Sequence, residues 1–161
     1  YKLKEWNGGM VWYEEQYPNI LFAKDGEIFE MEGLSHLVIG GAYSVDKYYR
    51  IARHYGWWPD EQPSEEIKAY VEQQLPGKHI DVILSHTCPF KYEPVEAFLP
   101  MIDQSTVDAS TEHWLDHIEE TADYGAWLFG HWHISKRIDK LQFMYHDFIC
   151  SDNLKERVQN G

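Results

Sequence analysis

The sequence predicts an α/β or α+β fold, a layered sheet core flanked by helices. Three observations predict it: strand-sized apolar runs at 37–39, 81–85 and 127–129, capped helical segments interleaved with them, and a length of 161 residues that fits one domain spanning 1–161. Hydrophobic residues make up 43% and aromatics 16%, enough for a packed core and unlike a disordered composition.

Taken in order, Asp25-Gly26 separates apolar runs at 19–23 and 27–31, which predicts a hairpin because both turn residues tolerate positive φ. Leu37-Val38-Ile39 reads as a buried strand ending at Gly40-Gly41. A helix is expected over 65–75. Ser64 can cap its free amides, two glutamates favour the positive end of its dipole, and Pro76-Gly77 stops it. Residues 81–85 form a second buried strand running into His86. Ser110 or Thr111 is expected to cap a helix through Thr121, with Trp114, Leu115 and Ile118 on one face. Residues 127–129 form a third buried strand, ending at Gly130-His131. Residues 141–149 alternate as a strand, with Phe143, Tyr145 and Asp147 on one side.

The net charge is -13, from 27 acidic and 14 basic residues, and no Lys/Arg cluster offsets it. Such a surface repels nucleic-acid phosphates, so passive nucleic-acid binding is not expected. Divalent cations in a site would reverse the local field and attract a phosphate. No apolar run is long enough to span a membrane, so no membrane partner is expected. Two cysteines, Cys88 and Cys150, fit a reducing cytoplasm, which is the expected location. The first residues show no signal peptide, and the chain begins without methionine, as a processed or shortened chain would.

Chemistry concentrates at two strand ends. One run is Ser85-His86-Thr87-Cys88-Pro89 and the other is Gly130-His131-Trp132-His133. Strand ends hold loop side chains rigidly, and two residues apart in extended backbone His131 and His133 would project to one side. Neutral imidazoles suit Zn, Mn, Fe or Co. Gly130 would permit a tight turn or a close approach. Against this, the chain has 9 histidines, and a single strand-end histidine is more often structural or solvated than a ligand.

Gly130-His131-Trp132-His133 resembles the Gly-His-x-His signature of the calcineurin-like metallophosphoesterases, and Ser85-His86-Thr87-Cys88-Pro89 is similar to that family's preceding single-histidine motif. The segment Gly40-Gly41-Ala42-Tyr43-Ser44-Val45-Asp46-Lys47 and the segment Ile102-Asp103-Gln104-Ser105 resemble parts of its bacterial and phage phosphatase-like members. The resemblance runs over nearly the whole chain, in the family's order. It implies part of a four-layer αββα sandwich of two mixed sheets flanked by helices. It also implies two divalent metal ions (Mn, Fe, Zn or Co), one held by His86 and His131 and the other by His133. The activity implied is metal-dependent hydrolysis of phosphate mono- or diesters, on a phosphorylated substrate. The family's Asp-x-His, Gly-Asp-x-x-Asp and Gly-Asn-His motifs do not occur in this sequence. The bridging aspartate and the acid histidine therefore have no counterpart here, and an N-terminal portion is expected to be absent. The chain alone is accordingly expected to bind metal weakly, to hydrolyse little and to self-associate through an uncovered sheet.

Other expectations are lesser. Arg50, or Arg53, is a candidate for contacting substrate phosphate, and Arg50 can equally pair with Asp46 one helical turn away. Asp103 is a candidate to orient a ligand histidine, with helix capping as its alternative. Cys88 is read as small buried packing, and Trp57-Trp58-Pro59 as core or lid packing rather than a pocket wall. The alternative to an enzyme is a degenerate family member acting as a scaffold or binding module. A structural zinc module ranks last, because no Cys-x-x-Cys pair accompanies the histidines.

Overall fold

The computed structural model describes residues 1–160, with the side chain of Asn160 outside the description. Strands β1 (Lys2–Trp6), β2 (Gly9–Glu14) and β3 (Tyr17–Ala23) form an antiparallel sheet in that order. Strands β4 (Ile28–Met31), β5 (Leu34–Ile39), β6 (His79–Ser85), β7 (Asp123–Phe129), β8 (Lys136–Ile138) and β9 (Leu141–Phe143) form a mixed sheet, ordered β4-β5-β6-β7-β9-β8. Four helices accompany them: α1 (Lys47–Ala52), α2 (Glu65–Gln74), α3 (Ser110–Thr121) and α4 (Ser151–Asn160). The class is the expected α+β arrangement of two sheets with helices. Among the described residues no helix is long and apolar enough to cross a membrane.

Strands β5, β6 and β7 run parallel, joined by helical crossovers, so both faces of the large sheet need cover. One face carries Leu37, Ile83, Trp127 and Phe143 in a cluster with Val71 and Leu75 near the end of α2, and with Trp114, Leu115 and Ile118 of α3. The other face packs Val82, Ala126 and Leu128 against Leu154 of α4. The Ser64 hydroxyl caps α2 by accepting from the Ile67 amide, as expected.

Three local expectations fail. The Asp25-Gly26 turn is not a hairpin. It is the corner where the chain leaves the small sheet for the large one: the Lys24 amide still bonds to Met10, while the Gly26 amide bonds to Val38 of β5. The Asp25 carboxylate is spent on the Gly40 amide at 2.8 Å. The first hairpin turn is Asn7-Gly8 instead, with φ of 47° and 88°, the positive pair that a tight primed turn requires. It brings Gly9 onto the ring of Phe29, so close that a Cβ would lie 2.7 Å from the ring edge. That contact couples the two sheets.

Second, neither Ser110 nor Thr111 caps α3. Asp108 accepts from the Ser110 amide, and Thr111 is buried, its hydroxyl 2.7 Å from Gln62. Third, the strand expected over 141–149 stops at Phe143. Beyond it the alternation no longer describes a sheet face, since Tyr145 and Phe148 are exposed.

The outer face of the small sheet exposes Leu3, Trp12, Ile20 and Phe22.

Candidate functional site

The register of the parallel strands assembles the site. Ile39 pairs with Ser85, and Ser85 with Phe129, so the chain leaves β5, β6 and β7 at one edge. The residues that follow are Gly40, His86 and Gly130. Backbone bonds tie these exits together: the His86 amide donates to Ile39, and the Gly130 amide to the His86 carbonyl at 3.1 Å. Trp127 donates from Nε1 to the Ser85 hydroxyl at 2.7 Å, and that hydroxyl donates to the Thr87 carbonyl at 2.6 Å, bracing the loop that carries His86.

His131 Nδ1 lies 3.2 Å from His86 Nε2, with ring centroids 5.0 Å apart. Desolvation holds both rings below the usual imidazole pKa. For His131 burial is the first cause, followed by the proximity of His86 and His133, and the value falls to about 4. Both rings are therefore neutral near pH 7, with lone pairs to offer. Two nitrogens sharing a tetrahedral zinc at the usual bond length would stand about 3.3 Å apart. The observed spacing fits that donor pair, and it equally fits one N–H···N hydrogen bond between neutral rings.

His133 does not join this contact. It lines the same cavity and stacks on Tyr145, centroids 5.0 Å apart and planes 16° apart. The same-side projection of His131 and His133 needed extended backbone, but their φ values are 64° and 52°. Left-handed backbone at non-glycine residues costs on the order of 1–3 kcal/mol each and concentrates at sites where a side chain must be aimed. Gly130 needs no such allowance: its φ is not positive, and a Cβ there would meet its nearest atom at an ordinary 3.8 Å. Among the described residues no three His, Cys, Asp or Glu side chains converge as a metal cluster. The geometry brings two imidazole nitrogens together, short of the four donors that a tetrahedral zinc needs.

The histidines open on a cavity of about 740 Å³, within the size range of ligand pockets. Arg50 lines it, with Nε held by Asp46 at 2.8 and 2.9 Å, so the expected intrahelical pair and a cavity position coexist. Asp103 bonds Ser105, through amide and hydroxyl, and caps a short 3-10 turn over Gln104–Thr106; its bonds go to no histidine. Cys88 is fully buried, with its thiol pushed up to about 12 by burial. Trp58 does not pack in the core: it is 67% exposed and lines a second cleft with Trp57.

Sequence patterns did not single out the acidic wall of the larger cavity. Glu112 on α3 is only 4% exposed, and its carboxyl is raised first by burial. Glu93 is raised to about 7, by burial first and then by Glu112 and Asp116. A buried acid on a helix carries no local signature, since the groups that act on it, Thr87 and Glu93, come from distant segments of the chain. No family model matches the chain, and no curated protein or solved structure matches it.

Proposed function

We propose that this chain supplies the histidine side of a divalent-metal-dependent phosphoesterase centre. The observation that carries the proposal is the 3.2 Å approach of His86 and His131, two neutral imidazoles at the ends of adjacent parallel strands. His86 and His131 would hold an ion through Nε2 and Nδ1, and His133, across the same cavity, would serve a second. When bound, such ions lower the pKa of water and neutralise charge on phosphate oxygens. Arg50 would orient a phosphate from the α1 side of the cavity. With two ligands and no carboxylate among them, the chain by itself holds metal weakly and turns over little.

The test is titration calorimetry with Mn²⁺ and Zn²⁺ at pH 7, alongside hydrolysis of p-nitrophenyl phosphate. Weak binding that drops at least tenfold in both His86→Ala and His131→Ala supports the proposal. Metal binding indifferent to both histidines overturns it.

A second reading, a non-catalytic binding module on the same fold, draws support from the lack of a third converging ligand among the described residues. Metal-independent binding of a phosphoester without any hydrolysis, even with excess metal, would favour it.

A further inference from the structure

His86 borders two clefts, while His131 and His133 line only the larger one. The larger cavity, about 740 Å³, and a second of about 450 Å³ share four lining residues: Ala42, Ser44, Arg50 and His86. The larger one runs from the histidines past Phe90, Ile102 and Val107, with Phe98 stacked on Trp132 at 5.6 Å. The smaller one is walled by Trp57 and Trp58.

That wall is built, not incidental. Glu61 accepts from Trp57 Nε1 at 2.8 Å and from the Ser44 amide at 3.1 Å, tying the tryptophan loop to the strand-end segment beside His86. The Lys47 ammonium lies 4.3 Å from the Trp57 ring centroid. Trp58 rests its ring edge on Gly56, where a Cβ would stand 2.8 Å away, and leaves two thirds of its surface to solvent. Its carbonyl accepts from the Glu61 amide at 3.3 Å. A tryptophan tied through its backbone, with its far ring edge on Gly56, offers an open stacking face for a planar group. A monoester has one organic arm and would use one cleft; two clefts meeting at a cation and an imidazole ask for two arms.

We infer that the ligand is a phosphodiester, with its phosphorus at the shared Arg50–His86 wall, a planar aromatic arm on Trp58 and a second apolar arm in the larger cavity. This rests on the phosphoesterase reading for the position of the phosphorus. A diester also carries one negative charge where a monoester carries up to two, which suits a chain of net charge -13.

The test is calorimetric binding of bis(p-nitrophenyl) phosphate against p-nitrophenyl phosphate by the full chain, with Mn²⁺ and again with EDTA. The diester is expected to bind at least tenfold more tightly. Trp58→Ala, which removes an exposed side chain and spares the core, should bring the two probes within about threefold, and Phe98→Ala should narrow the gap from the other side. Equal affinities for the two probes, absence of binding by either, or a ratio unmoved by both variants overturns the inference. If Mn²⁺ binds at the histidines but the ratio is one, the two-armed ligand fails while the metal centre survives. If the ratio holds in EDTA and no metal binds, the clefts stand and the metal centre falls.

Discussion

Lowering the pH should destabilise the protein through His131, by an amount the structure sets. The native pKa of His131 is about 4, against 6.5 for an unhindered imidazole, because burial and two neighbouring histidines oppose its charge. The unfolded chain then binds the proton more readily than the native state does. The contribution of His131 is intact above its unfolded value, is lost progressively as pH falls below about 6.5, and is fully lost only below its native value of about 4. With those two values the loss is about 2 kcal/mol at pH 5 and about 3 kcal/mol at pH 4, as orders of magnitude. Urea unfolding followed by tryptophan fluorescence, in EDTA, for the native sequence and His131→Gln gives the measurement. The substitution removes the His86 contact at every pH, so only the pH-dependent part of the difference reports the titration. The native sequence should lose about 3 kcal/mol more than the variant between pH 7 and pH 4. Parallel losses, or a ring resonance of His131 titrating near the ordinary value, would refute the desolvated pair.

Glu93→Gln should act in the opposite window. A carboxyl raised to about 7 stabilises most below its unfolded value, and that contribution is lost as pH rises through 7; relative to the variant, the native sequence should lose stability from pH 5 to pH 8 in the same urea assay. Trp127→Ala should cost about 3–5 kcal/mol, because the ring is fully buried against Tyr124 and its Nε1 braces Ser85; a melting-temperature change of only a degree or two would contradict that. An aromatic disulfide reagent should titrate one thiol in the native protein, the exposed Cys150, and two in urea, where Cys88 is released; rapid native labelling of both would show that the loop after His86 opens.

The strands at 37–39, 81–85 and 127–129 were legible because a strand buried on both faces writes itself as a continuous apolar run. The α2 helix was legible because its cap, its acidic first turn and its Pro-Gly stop are all local. The Asp25-Gly26 turn misled for a related reason. A turn dipeptide marks a reversal, but which strands pair across it depends on partners elsewhere, here Met10 and Val38. The run after Phe143 misled because alternation persists in sequence after the sheet has run out of neighbours.

The candidate site divides in the same way. The sequence by itself determined which histidines stand at strand ends, since each follows an apolar run and a short polar residue or glycine. Only the tertiary structure decided that His86 and His131 touch while His133 turns to Tyr145, because the register of β6 and β7 and two left-handed backbone positions set those directions. It also decided that Glu112 and Phe98, from separate segments, line the larger cavity while Trp58 lines the smaller cleft beside it. Convergence of that kind comes from packing free energy summed over the whole core, to which any single segment contributes only a part.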